Sequence, residues 1–599
     1  MKQFLKYTLA TMLGIVLINI LLFLLFLGTM AALGSAFGSG RKPTIQQHSV
    51  LHLKLDAPIL DRGPKENLDL PQFGMRSATG LNDLLAGLDR AATDDRIRGV
   101  FLDLTSVQAG SAALREMRAK LLEFRAQSGK PVIAFSDSYT QGAYYLASAA
   151  DAVYLQPKGD LDHRGLHSES MFFKGLFEKL DIEMQFIRGS NNQFKSFGEV
   201  FTEDHMSPAN REQVSRVING IWNEFRSAVA ASRGIAPERL DVITDSVLVR
   251  NAQDALRLGL VDGLLFRDEL LDTLRARMQL PEDEDIRFAS LTNYSASLSR
   301  RTAHGKGDAT SGANKLAVIY AEGDIAMGES SDGIIGGASL AEEIRAVRED
   351  STIKAVVLRV NSPGGSGLAS EIIHREIVLT REVKPVVVSM GNVAASGGYY
   401  ISAPAHRIFA SPTTITGSIG VFGMIPNMQG FFKNKLGITF DGAKTHAHAD
   451  MFTVSRPLTP HERKLMQQYI DDFYAGFLER VAEGRGMTTE AVDAVGQGRI
   501  WSGTDALQNG LVDELGGLED AIVAAAEMAG LENYRRVELP RQKDLMEQLL
   551  TDLTGNARMW AARQVLGEDV RMLERFRQAS SATRYSGVIA RMPFDLVVD

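Results

Sequence analysis

The stretches "SYTQGAYYLASAADAVYLQP" (138–157) and "NVAASGGYYISAPAHRIFASP" (392–412) are one element written twice. A shift of 255 lays Gly142 on Gly397, the pair Tyr144-Tyr145 on Tyr399-Tyr400, and Pro157 on Pro412. The copying runs well beyond these residues. "VLHLKLDAPIL" (50–60) matches "LAVIYAEGDIA" (316–326), "LLAGLDRAATDDRIRGVFLDLTS" (84–106) matches "LAEEIRAVREDSTIKAVVLRVNS" (340–362), and "GKPVIAF" (129–135) matches "VKPVVVS" (383–389). Farther on, "NAQDALRLGLVDG" (251–263) and "SGTDALQNGLVDE" (502–514) set Asp254 on Asp505 and Asp262 on Asp513. A repeat of this length is a whole domain duplicated, and 599 residues exceed what one hydrophobic core can serve.

Within each copy, short β-branched runs alternate with helical segments, the pattern of βαβ units and a mostly parallel sheet. "VVVSM" and "AVVLRV" lack polar alternation, as expected of strands covered on both faces. The expected fold is therefore α/β in two tandem repeats, at 46–290 and 316–540. "LTNYSASLSRRTAHGKGDATSGANK" (291–315), polar and rich in Ser, Gly and Ala, reads as the linker between them. Beyond 540 the repetition is lost, and 541–599 reads as a helical extension.

No charge occurs from Tyr7 to Gly40, and the apolar run Leu9–Leu33 exceeds the about 20 residues that span a bilayer. With Lys2 and Lys6 held on the cytoplasmic side, 1–45 reads as one transmembrane helix and the rest of the chain as extracytoplasmic. The alternative is a cleaved signal peptide with "GSAF" (34–37) near the cut, although such segments have a shorter apolar core, about 7–15 residues. A net charge of −8 argues against a nucleic-acid partner. The absence of cysteine removes disulfides, zinc thiolates and thiol nucleophiles. With no metal-ligand cluster and no nucleotide-binding loop, no cofactor and no metal are expected.

The chemistry concentrates in the second copy. "RVNSPGGSG" (359–367) follows a buried strand, and Pro363 with Gly364-Gly365 predicts a tight turn with backbone N–H groups free to meet a ligand. In "NVAASGGYY" the small neighbours Ala394, Ala395, Gly397 and Gly398 leave Ser396 uncrowded at a strand-to-helix turn. Acyl transfer needs a nucleophile and donors for the tetrahedral oxyanion, and Ser396 with the N–H groups of Gly365 and Gly397 are the candidates. A serine at a helix start is more often an N-cap. The first copy weighs against that reading, because "NSPGG" has become "TSVQA" (105–109) while Ser396 has become Gln141. One copy has lost the turn and the hydroxyl together and kept the scaffold.

A serine hydroxyl needs a base. His406, His446 and His448, with Asp450 nearby, leave a Ser-His-Asp triad open, although His406 is placed near the end of the helix after Ser396 and "THAHAD" (445–450) reads as a solvated loop. A lysine lowered by burial is the other class, and Lys195 in "SNNQFKSFGEVFTEDHMSP" (190–208) has uncharged neighbours from Ser190 to Gly198. Spacing alone leaves it a surface lysine.

"NSPGGS", "GNVAASGGYYISAPA", "TGSIGV" (416–421), "FKS" before "MSP", the double repeat and the amino-terminal apolar run together resemble the long-form bacterial signal peptide peptidase A family over nearly the whole chain. That resemblance implies Clp protease/crotonase-like repeats and a Ser/Lys dyad split between them, with Ser396 as nucleophile and Lys195 as general base. It implies that Ser418 positions the lysine amine, where the first copy has His163, and that Gly365 donates to the oxyanion; Gly397 is added on geometric grounds. It further implies a homotetrameric ring in the bacterial inner membrane, single-pass, with its catalytic body on the periplasmic side, whose substrates are cleaved signal peptides and other apolar peptides. A crotonase-like acyl-CoA enzyme on the same fold and a non-catalytic membrane scaffold are the alternatives; neither requires Ser396.

Overall fold

The computed structural model describes residues 44–64, 78–297 except 283, 314–542 except 332, and 589–591, with scattered positions in the first 28. The two copies build the same sheet. In the first, the strand order is Gly263–Leu264, Ala152–Leu161, Val132–Tyr139, Ile97–Asp103, Ser49–Lys54, Arg287–Ser290, with every neighbouring pair parallel. In the second, Glu514–Leu515, Arg407–Ala410, Val386–Ala395, Ile353–Ser362, Lys315–Glu322 and Arg535–Leu539 run in the corresponding order, again all parallel. A branch is added there: Ile415–Gly417 pairs parallel with the far end of Val386–Ala395, and Ile500–Ser502 closes on it antiparallel.

The core repeats as well. Helix Leu81–Thr93 buries Leu84, Leu85, Leu88 and Ala91, and helix Gly337–Glu349 buries Leu340, Ala341, Ile344 and Val347. This is one apolar stripe at helical spacing, laid twice on the sheet. Leu316–Ala321 and Ala355–Val360 are buried along their whole length, which is why those strands show no polar alternation. Helix Leu291–Ser297 extends the first repeat, with Tyr294 fully buried and its hydroxyl donating to Asp94.

The repeats are interlocked. Strand Glu183–Arg188 of the first pairs antiparallel with Phe422–Asn427 of the second. Helix Pro208–Arg233 sends Val217 and Ile221 into a cluster with Ala395, Ile415 and Ile500. The segment that replaced the glycine turn in the first copy serves as a docking face: Ala113 N–H donates to Asn392 Oδ1 at 3.1 Å, and a Cβ on Gly110 would lie 2.3 Å from that side chain. Beneath this face the guanidinium of Arg359 is wholly buried, donating to Asp61 at 2.6 and 3.0 Å, to Glu116 at 2.7 Å and to Ser389 Oγ at 2.8 Å. Both carboxylates come from the first repeat. They raise the affinity of Arg359 for its proton even though burial acts the other way.

No helix among the described residues is long and apolar enough to cross a membrane. The anchor expected over 1–45 lies almost wholly outside them, as do most of the helical extension expected over 541–599 and most of the linker.

Candidate active site

Strand Val386–Ala395 runs into the short helix Gly397–Ser402 through Ser396, whose backbone sits at φ 55°, ψ −114°. A non-glycine residue there stores on the order of 1–3 kcal/mol of strain, which persists only where the surroundings impose it. Here Ser396 N–H donates to Gly417 O at 2.8 Å, and Gly398 packs so close to Ser362 O that a Cβ would come within 2.6 Å. No capping bond is made by the Ser396 side chain, whose hydroxyl meets Lys195 Nζ instead. The residue occupies the N-cap position without capping the helix through its side chain. The helix stops at Ser402, shorter than expected, so His406 lies beyond it on the way to the next strand.

Lys195 arrives from the first repeat on the loop after Glu183–Arg188. Its Nζ lies 2.8 Å from Ser396 Oγ, 2.9 Å from Ser418 Oγ and 3.0 Å from Ser418 O, and all three residues are fully buried. Among the described residues no carboxylate pairs with it. Burial alone holds its pKa well below the ordinary lysine value, because the charged form has lost its water without gaining a counter-ion. Ser418 also has positive φ, 49°, and its N–H donates to Arg499 O at 2.7 Å, so its oxygens face Lys195 from a fixed loop.

Gly365 belongs to a strand, Gly364–Ser366, where a turn is expected from the sequence. Its φ of 156° and the 2.0 Å that would separate a Cβ from Ile325 O leave room for glycine only. This strand pairs antiparallel with Ile589–Arg591, which also meets Phe422 antiparallel. The slot between the glycine strand and Phe422–Asn427 is thus one extended strand wide, and a segment of the chain's own carboxyl end fills it. Gly397, at the first helical position, has an N–H without an intrahelical acceptor.

The histidines lie elsewhere. Val386 N–H donates to His406 Nδ1, His446 is exposed beside Thr445, and His448 contacts Glu462. Asp450 is paired with Lys444 and Arg456. The triad left open by the sequence is not assembled. Among the described residues no group of three or more metal-ligating side chains gathers.

In the first copy the corresponding place is sealed. The Gln141 carboxamide accepts from the N–H groups of Arg164 and Gly165 and donates to Gly165 O, filling the elbow. His163, which aligns with Ser418, is buried against Tyr144, Trp222 and Phe225, and burial pushes its pKa down to about 4.

A residue missed by sequence reading is Gln213. Buried in helix Pro208–Arg233, it donates to Phe194 O and Ser196 Oγ, each at 3.0 Å, and accepts from Ile500 N–H at 3.2 Å. It thereby ties the residues flanking Lys195 to the second repeat. A glutamine in a polar 26-residue helix carries no local sign of that role.

The model of peptidase family S49 matches residues 125–280 and 379–532, one match in each repeat. The chain belongs to peptidase family S49. It is a serine peptidase, similar to "Protease 4" of Salmonella typhi at 36% identity over 539 residues, covering 87% of this chain and 85% of that protein. "Protease 4" of Haemophilus influenzae is 34% identical over 526 residues, covering 84% and 83%. The chloroplastic "Serine protease SPPA" of Arabidopsis thaliana is 30% identical over 519 residues, covering 85% and 74%. Each of these matches covers more than four fifths of this chain and so reaches into both repeats.

Proposed function

We propose that Ser396 is the nucleophile and Lys195 the general base of an endopeptidase that degrades signal-peptide remnants, anchored in a bacterial inner membrane with its catalytic body on the periplasmic side and working as a homo-oligomer. The observation that carries the catalytic part is the 2.8 Å approach of Lys195 Nζ to Ser396 Oγ, with both side chains fully buried.

A neutral amine has two N–H donors and one lone pair. Donation to Ser418 O and Ser418 Oγ uses the donors and turns the lone pair toward Ser396 Oγ–H. Ser396 Oγ then attacks a peptide carbonyl carbon while Nζ takes its proton. The oxyanion is received by the N–H groups of Gly365 and Gly397, a type of stabilisation typically worth about 3–4 kcal/mol per donor. Collapse breaks the C–N bond as Nζ returns the proton to the leaving nitrogen, and water resolves the acyl-enzyme with Nζ again as base. The slot beside Gly364–Ser366 suits an extended peptide, since main-chain pairing on both sides reads a strand without regard to its sequence. The apolar run before residue 40 and the likeness to "Putative signal peptide peptidase SppA" of Enterococcus faecium, 36% identical over 224 residues, support membrane-proximal apolar peptides as substrates.

The test uses the full chain in detergent, an apolar fluorogenic peptide and a synthetic signal-peptide remnant. Both are expected to be cut, with Ser396→Ala lowering kcat/KM by roughly a thousand-fold or more. The rate of the parent is expected to rise with pH and level off well below the ordinary lysine value of 10.5, because the deprotonated form of Lys195 is the base. Unchanged activity in Ser396→Ala would remove the nucleophile assignment. Cleavage of the fluorogenic peptide without the remnant would leave the peptidase and remove the substrate.

A further inference from the structure

The wall around Lys195 includes a turn from the other repeat that the proposed chemistry leaves without a task. Gln497 and Gly498, just before strand Ile500–Ser502, both have positive φ, 56° and 81°. Phe194 N–H donates to Gln497 O at 3.0 Å, and a Cβ on Gly498 would lie 2.6 Å from Lys195 N, so the turn comes this close only as glycine. Arg499 follows and touches the surroundings of the base twice. Its carbonyl accepts from Ser418 N–H at 2.7 Å, and its guanidinium carbon stands 3.6 Å from the centre of the Phe194 ring. On the outer side Glu212 holds that guanidinium at 2.8 Å. Glu212 is exposed, Arg499 partly buried, and Phe194 and Lys195 buried, so the stack runs from solvent inward to the lysine.

The first repeat carries the same turn with no base to cover. The shift of 251 that sets Asp254 on Asp505 lays Ser246, Val247 and Leu248 on Gln497, Gly498 and Arg499. Val247 keeps the left-handed backbone, φ 46°, although a β-branched residue tolerates it poorly, and it is 48% exposed. The turn is therefore common scaffold. The glycine and the arginine stand only in the copy that faces Lys195, as the hydroxyl of Ser396 does.

We propose that Arg499 is a positioning residue for the general base: stacked on Phe194 and bonded to Ser418, it closes the Lys195 pocket against water. This deepens the proposed function and rests on its reading of Lys195 as the base. The two effects of Arg499 on the amine share a sign. Its cover withholds water from the ammonium form, and its charge opposes a second cation behind the ring. The other charged groups facing this wall are engaged elsewhere: Glu199 with Ser207 and Asn210, Arg216 with Asp505, Asp493 with Asn191 and Tyr474, and Arg188 with Gln193 O. Among the described residues none of them bonds Lys195 Nζ, so cover rather than a counter-ion sets the state of the amine.

The test is kcat/KM against pH for the full chain in detergent, with an apolar fluorogenic peptide free of titratable side chains, since that profile reports the base of the free enzyme. Arg499→Ala removes the cover and keeps the carbonyl that Ser418 N–H bonds. Its profile is expected to move alkaline by about one pH unit, which makes it roughly ten-fold slower than the parent at neutral pH and restores most of the rate on the alkaline plateau. Arg499→Lys, which keeps a cation over the ring without its planar cover, is expected to fall between the two. If circular dichroism shows Arg499→Ala unfolded, Phe194→Leu takes its place: it removes the ring beneath the guanidinium, and the same alkaline shift is expected. An equal loss at every pH, with the midpoint unmoved, would make Arg499 a structural residue only and overturn the proposal while leaving Lys195 as the base. A parent rate indifferent to pH would overturn the base assignment and this proposal with it.

Discussion

Lys195→Met is expected to give a protein with no measurable peptidase turnover that melts above the parent at pH 7. The loss of turnover follows from geometry, since no other side chain that can take a proton is hydrogen-bonded to Ser396 Oγ among the described residues. The gain in stability follows from burial. Lys195 is fully buried without a counter-ion, so its pKa is lowered in the folded chain and ordinary, 10.5, in the unfolded one. Between those values the unfolded state binds the extra proton, and stability therefore rises with pH across that window. Below it the amine is protonated in both states and the fold must hold the buried charge, so the penalty stays at its full size. Methionine fills much the same volume and titrates nothing, so the difference in melting temperature should shrink as pH rises toward 10.5. The hydrogen bonds to Ser418 are lost, at about 0.5–1.5 kcal/mol each, although the freed hydroxyls can still bond one another. Thermal melts of the two proteins at several pH values decide the matter. Parallel curves would mean that Lys195 keeps its charge in the fold and cannot serve as the base.

Arg359→Met is expected to be the most damaging single substitution outside the site, destabilising by about 3–5 kcal/mol, the usual cost of stranding a buried charge. Arg359 is 1% exposed and holds Asp61 and Glu116, both from the other repeat. Glu116 is itself raised above its ordinary value by burial, with Arg359 pulling the other way. Glu322, nearby, is raised to about 7 by burial and by Asp61. Without the guanidinium the carboxyl groups must take up protons to remain buried, so the variant's deficit is expected to narrow as pH falls. The triple change Arg359→Met, Asp61→Leu, Glu116→Met should recover most of the loss, since an apolar replacement of a whole buried cluster is often neutral. Denaturant melts of the single and triple variants measure this directly. A single variant within about 1 kcal/mol of the parent would mean that the cluster does not hold the repeats together.

The duplication was readable because it is written in identities and in hydrophobic spacing, and the matching strand orders of the two sheets are its direct expression. Ser396 was readable because a strand-to-helix elbow demands small residues on both sides, a local signature. Lys195 was not readable from its own neighbourhood. Its desolvation is created by Ser396, Ser418 and Gly498, all more than two hundred residues away in sequence, and only the family resemblance singled it out. Arg359 escaped for the same reason: in "AVVLRV" it looks like one charge at the edge of an apolar run, and its partners lie in the other repeat. Gly364-Gly365, read as a turn, became a strand because Ile325 pairs with it on one side and the carboxyl-terminal segment on the other. No pattern local to residues 359–367 announces a partner from residue 589.

That the 2.8 Å contact joins two halves of a single chain has a genetic reading. Each copy completes its own site, so a copy lacking Ser396 and a copy lacking Lys195 have nothing to lend each other, even inside one assembly. Co-expressed alleles with Ser396→Ala and Lys195→Met should behave as members of one complementation group, leaving the cell without this peptidase activity, whereas a base lent across a subunit boundary would restore a share of it.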